Sequence, residues 1–206
     1  MADEVLAVVA VRPALPDKTA LGLMASAAFQ ELATRISHRN TGRYSDDPVA
    51  DKIMVRAAAD ENLHMMFYRD IVAAALQVDP SAAVEAITQE VLGFAMPGVG
   101  IDGFTGKALQ MAQAGIYDLR IHHDEILWPL LRYWNLFDLE GLPPEAEQAR
   151  DRLATHLAKT DRLASRFEAN RMRATEAQER ASWLTRESGC STLAGLARVR
   201  VAGFPG

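Results

Sequence analysis

Apolar residues along this chain recur at steps of three and four, and no stretch shows the period of two that a half-buried strand requires. The pattern predicts an all-α protein. A first helix is expected from a cap near Asp17 to about Asn40, closed by Asn40-Thr41-Gly42. Asp46-Asp47 ahead of Pro48 opens a second, long helix reaching about Gln77. Asp79-Pro80 repeats that signature and starts a third helix over about 80–94, broken by Met96-Pro97-Gly98. A shorter helix covers 103–114 and stops at Gly115. The next, about 121–135, carries Ile126, Leu127, Leu130, Leu131 and Trp134, with a kink expected at Pro129. After Gly141-Leu142-Pro143-Pro144 a charged helix is expected to about Arg173, its apolar minority being Leu153, Leu157, Leu163 and Phe167. Residues 1–17, ending in Pro13 and Pro16, read as an irregular lead-in. Residues 18–173 then form one helical domain and 174–206 a weakly structured tail.

Polar residues interrupt the stripes of the two long helices. On the first, Ala20, Met24, Ala27, Glu31, Thr34 and His38 share a face. On the second, the face holds Met54, Ala57, Glu61, His64, Tyr68, Ile71 and Ala75. Read as core-facing, such a carboxylate costs several kcal/mol unless it is paired or bound to a metal. One Glu on one helix and Glu-x-x-His on another make up half of the ligand set of a carboxylate-bridged di-iron or di-manganese bundle. Carboxylates can bridge two metals, and imidazole adds a neutral nitrogen donor suited to iron. The bland reading is a partly exposed helix face with a satisfied histidine.

Composition narrows the classes. A chain of 206 residues, 49 % hydrophobic and 24 % charged, is that of an ordinary globular domain. Its net charge of −5 argues against binding nucleic acid by phosphate neutralisation. A single cysteine, Cys190, excludes an internal disulfide framework, fits a reducing compartment and reads as a bystander. The apolar run Val5–Val11 follows Asp3 and Glu4, where a secretory signal would carry Lys or Arg, and is too short to span a bilayer. A cytoplasmic protein without a membrane span is expected.

Longer motifs point to one family. The stretch Ala28-Phe29-Gln30-Glu31-Leu32-Ala33-Thr34-Arg35-Ile36-Ser37-His38-Arg39-Asn40-Thr41 resembles the third ligand helix of the soluble acyl-acyl-carrier-protein desaturases. Ala59-Asp60-Glu61-Asn62-Leu63-His64, followed by Phe67-Tyr68, resembles their fourth. The likeness continues in order through Asp79-Pro80, Phe94-Ala95-Met96-Pro97 and Gly115-Ile116-Tyr117-Asp118, covering about residues 20–170, in the manner of the actinobacterial, mycobacterial-type branch. The resemblance implies a ferritin-like helical bundle with a di-iron centre. It implies that molecular oxygen and electrons from a ferredoxin are used to place a cis double bond in an acyl chain carried on acyl carrier protein. By the same resemblance Glu31 and His64 would be terminal iron ligands and Glu61 a bridging one. Thr34 would line the oxygen side, and Asp60 would orient a ligand histidine of another helix.

The chain departs from the family in one respect. Members carry two further ligand helices ahead of this region, one with a Glu and one with a Glu-x-x-His. Here about 20 residues precede the first long helix, and the sequence holds no second Glu-x-x-His. The bundle expected is therefore partial. Three readings stay open: a truncated gene product, a short homologue without a di-iron site, or a homodimer in which a twofold axis supplies two of every ligand. Beside the desaturase reading stand a ferroxidase-like dimer with an interfacial site and a non-catalytic remnant. His122-His123-Asp124-Glu125 has the reverse order and reads as a solvated first turn, and His156 as a surface residue. Arg35, Arg39 and Arg43 recur at four-residue steps and could dock an acidic carrier protein or simply cap the helix. Met65, Met66, Ala73 and Ala74 could line an acyl tunnel, though ordinary core needs the same residues.

Overall fold

The computed structural model describes the backbone of residues 18–96 and 98–196 and the side chains of those up to 183. The expected lead-in 1–17, the Asp17 cap and the side chain of Cys190 fall outside the described residues. Two compact units are present, Met1–Ala164 and Ser165–Gly206. Among the described residues all regular structure is helical, as the hydrophobic periodicity requires.

In the first unit, α1 (Ala20–Ser45) and α2 (Pro48–Val78) form an antiparallel hairpin. Thr19 caps α1, its side chain accepting the Gly22 N–H. The helix does not end at Asn40. Gly42 lies inside it and is buried, because α2 crosses there: a Cβ at this position would stand 2.7 Å from Asp51 Oδ1 and 3.0 Å from Met54 Cβ. Its glycine serves close approach of two helices, not termination. The chain reverses at Asp46, in the left-handed region at φ 50°, and Asp47 caps α2 by accepting from the N–H groups of Val49 and Ala50.

The core side of the hairpin is Ala25, Ala28, Phe29 and Leu32 on α1, with Ala58, Met65, Val72 and Leu76 on α2. Small residues on α1 let α3 (Pro80–Leu92) come close, burying Ala83, Val84, Ile87 and Val91. Lys18 and Glu90 form an ion pair that ties the start of α1 to the end of α3. After α4 (Phe104–Gln113), a helical run is assembled from α5 (Leu119–Ile121), a π-helical turn (His122–Leu127) and α6 (Trp128–Tyr133). The wide turn directly precedes Pro129, whose ring would otherwise press on the carbonyl four residues back. The backbone discontinuity expected at Pro129 thus takes the form of a π-turn. Trp134 packs edge-on against Phe29 with ring centroids 5.6 Å apart, and its indole donates to the Arg69 carbonyl at 3.0 Å.

The last helix, α7 (Pro144–Leu196), buries Ala146, Ala149, Leu153 and Leu157 in the first unit. It continues beyond Arg173, where the sequence reading placed its end and the start of a weakly structured tail. Residues 174–186 are rich in Ala, Glu and Arg, so helix propensity carries the element through a stretch that lacks an apolar stripe. Among the described residues no helix is long and apolar enough to cross a membrane.

Candidate metal centre

The hairpin makes the site. Glu31 on α1 and Glu61 on α2 stand nearly equal distances from the turn, roughly 20 Å along each axis, so antiparallel pairing sets them opposite one another. The i, i+3 spacing then places His64 on the same side of α2 as Glu61. Ligand atoms of Glu31, Glu61 and His64 all lie within 4.8 Å of one another. His64 Nδ1 is 3.2 Å from Glu61 Oε2 and 3.7 Å from Glu31 Oε2. On the other oxygen of Glu61, His38 Nε2 lies 3.6 Å from Oε1.

The stripes that carry these groups are not the core face expected from the sequence. They run along its edge: the Glu31 and Glu61 side chains keep 26 % and 23 % of their surface exposed, and that of His64 keeps 59 %. The buried stripes are those of Phe29 and Met65, displaced around each helix by about one position.

Desolvation and the facing Glu61 carboxylate push the Glu31 carboxyl up to about 7. The Glu61 carboxyl goes the other way, lowered by the hydrogen bond from Glu31 and helped by His64 and His38. One proton therefore serves the pair, resides on Glu31 and is donated to Glu61. Two carboxylates this close need a positive charge between them, and a divalent cation answers the same need. Donor and metal are about 2.0–2.2 Å apart for oxygen and nitrogen, so two donors of one ion lie within about 4.4 Å of each other. The His64 distances to both carboxylates satisfy that limit, and the mixed oxygen and nitrogen set suits iron.

The supporting residues stand further out. The exposed Thr34 hydroxyl donates to the carbonyls of Gln30 and Glu31, at 3.1 and 3.0 Å. Asp60 is exposed and sits 3.7 Å from Arg56, one turn back. Arg39 pairs with Asp51 at 3.1 Å and Arg43 donates to Asn40 Oδ1 at 3.3 Å, which favours a structural role for these two members of the basic strip. Met65 is core and Ala73 packs against it, whereas Met66 and Ala74 face solvent.

Two expectations are corrected. His122 and His123 are buried, not solvated, because the wide turn swings them inward. The Tyr117 hydroxyl and His122 Nδ1 share a hydrogen bond at 2.8 Å, Phe94 stacks on the His122 ring, and burial pushes the His122 pKa down to about 4. His123 accepts at Nε2 from the Trp128 indole at 3.1 Å. His156, expected at the surface, is half-buried, and its pKa is lowered by desolvation and Lys159. A period count cannot see a π-turn, and Pro129 signals a break in the helix without showing that the histidines before it turn inward. The proximity of His38 to Glu61 was also missed, although both stood on the interrupted stripes.

Comparison with known proteins agrees with the geometry. A family model described as fatty acid desaturase matches residues 11–185. The chain is 42 % identical over 153 residues to the Mycobacterium tuberculosis protein bearing the name acyl-[acyl-carrier-protein] desaturase DesA1, a match covering 74 % of this chain and 45 % of that one. It is 34 % identical over 133 residues to stearoyl-[acyl-carrier-protein] 9-desaturase 6, chloroplastic, of Arabidopsis thaliana, covering 60 % of this chain and 34 % of the relative. The chain thus spans less than half the length of the curated relatives it matches. Family model, identity and all-α architecture agree, and the chain belongs to the fatty acid desaturase family.

Proposed function

We propose that this chain supplies one half of the metal-ligand set of an acyl-[acyl-carrier-protein] desaturase centre. The observation that carries the reading is the convergence of Glu31, Glu61 and His64 within 4.8 Å across the α1–α2 hairpin. The reaction proposed is O2-dependent introduction of a cis double bond into an acyl chain held on acyl carrier protein, in the cytoplasm, with a ferredoxin-type electron donor. The names of the similar proteins support the substrate class. Iron, when bound, would supply oxygen activation. Glu31, Glu61 and His64 would hold it, Glu61 between two ions. Glu31 would surrender the shared proton on loading. Thr34 would stand beside the site, and Asp60 would face whatever packs on the outer side of α2.

That outer side supports a homodimer as the second half of the proposal. Val49, Ile53, Arg56, Asp60, Leu63 and Phe67 follow at steps of three and four, and all six are exposed. A stripe with apolar ends on either side of the Arg56–Asp60 pair, beside a half-open ligand set, suits a second copy related by a twofold axis. A ferroxidase-like dimer would use the same site without an acyl carrier.

The test is anaerobic Fe(II) loading of the full chain with native mass measured on the same sample. The expected result is about one iron per chain in a dimer, lost in His64→Ala. Unspecific or absent iron would overturn the reading. Iron oxidation that proceeds without acyl carrier protein, and desaturation that never appears with it, would select the ferroxidase form.

A further inference from the structure

We propose that the cleft between α6 and α7 binds a small planar aromatic carboxylate, its ring seated against Trp128 and Phe137 and its charge held by Arg132. The proposal stands apart from the metal-binding reading, since no residue lining the cleft belongs to the group of Glu31, Glu61 and His64. The cavity measures about 500 Å³, inside the range of roughly 300–1,000 Å³ that small-molecule sites occupy. Trp128 on α6 and Phe137 on the short turn Leu136–Asp138 make an aromatic corner, ring centroids 5.8 Å apart and planes inclined at 48°. On α7, Ala154 and Ala158 lie one helical turn apart and exposed, beside the buried Leu157. Two alanines in register leave a smooth strip of helix, and a smooth strip beside an aromatic corner suits a flat ligand.

The aromatic wall is held in place. The Trp128 indole N–H donates to His123 Nε2 at 3.1 Å, and the buried His123 ring is anchored at Nδ1 by Asp124. With its single donor used in that bond, the indole offers the cavity apolar surface alone. Arg132 supplies the charge. Its guanidinium lies over the Trp128 ring, 5.2 Å from the centroid, and no carboxylate pairs with it among the described residues. Stacking engages the face of the guanidinium and leaves its N–H edge free, which is the edge that grips both oxygens of a carboxylate. The acidic group at the cleft, Asp161, is already bonded by Arg120 at 2.7 Å, so Arg132 is the unmatched charge. The plain alternative, an arginine that only shelters Trp128 from water, gives the cleft no preference for an anion.

Naphthoate is the probe, titrated into the full chain by calorimetry, with contacts to the Trp128 indole protons read by NMR. The expected result is one saturable site per chain, with the neutral isostere naphthamide bound at least tenfold more weakly. Arg132→Gln should bring acid and amide to equal affinity. Ala158→Leu, at an exposed helical position, should fill the strip and abolish binding of both while the far-UV spectrum stays unchanged. No saturable naphthoate binding would overturn the proposal, as would a preference for the acid that survives Arg132→Gln or binding that survives Ala158→Leu. Decanoate bound as tightly as naphthoate would overturn the aromatic assignment, since a flexible chain gains nothing from a flat strip.

Discussion

The proton shared by Glu31 and Glu61 governs how the centre answers pH. Glu31 titrates near 7 in the folded chain and near 4.5 when free, so between those values the folded state holds more protons than the unfolded one. Metal-free stability should therefore fall as pH rises from about 4.5 to about 7 and level off above. Glu31→Gln, a neutral mimic of the protonated side chain, should remove that slope and raise the melting temperature above pH 7. Thermal melts across pH 4.5–8 check it; an unchanged slope in the variant would place the effect elsewhere. Metal must displace the same proton, so Co(II) affinity should climb with pH up to about 7. Glu31, Glu61 and His64 were legible because two of them share a motif on one helix. The contact of His38 was not, since its partner lies on the other helix and only the hairpin register brings them together.

At the level of elements, the register depends on Gly42. It lets α1 run on past Asn40 while α2 crosses close enough for Asp51 and Met54 to fill the space a side chain would take. Gly42→Val should force the helices apart, costing about 1–3 kcal/mol against a gain in helix propensity of a few tenths. Because the hairpin sets Glu31 against Glu61, metal affinity should drop with stability. Denaturant titration and Co(II) binding on one sample measure both; loss of neither would mean that the crossing tolerates a side chain. The Asn-Thr-Gly triplet has the composition of a helix stop, and only packing distinguishes such a glycine from one that ends the element. The start signals before Pro48 and Pro80 were readable, since Asp caps with Pro at the first turn act locally.

For the molecule as a whole, the decisive feature is the pair of faces on the hairpin. One face is core, and the other carries Val49, Ile53, Leu63 and Phe67 at 67 %, 59 %, 61 % and 63 % exposure. If a second copy covers this stripe, Leu63→Glu together with Phe67→Glu should give monomers whose helical content is unchanged, as read by native mass and circular dichroism. A dimer that persists would assign the interface to another surface. Periodicity predicted the all-α fold and both long helices. It could not show which of two neighbouring stripes faces inward, because Ala and Met fit either environment and the choice rests on what packs alongside.

The Asp46-Asp47 reversal carries a kinetic consequence. Glu31, Glu61 and His64 all lie between residues 31 and 64, joined by one tight turn, so the candidate site closes a short loop and draws on sequence-local contacts. Such contacts form early, with helical hairpins assembling in microseconds to milliseconds, ahead of pairings across distant segments. A cation present during folding could bind the nascent hairpin and select its register before α3 and α7 dock. Metal availability at synthesis would then influence how quickly the chain folds, as well as what the folded chain can do.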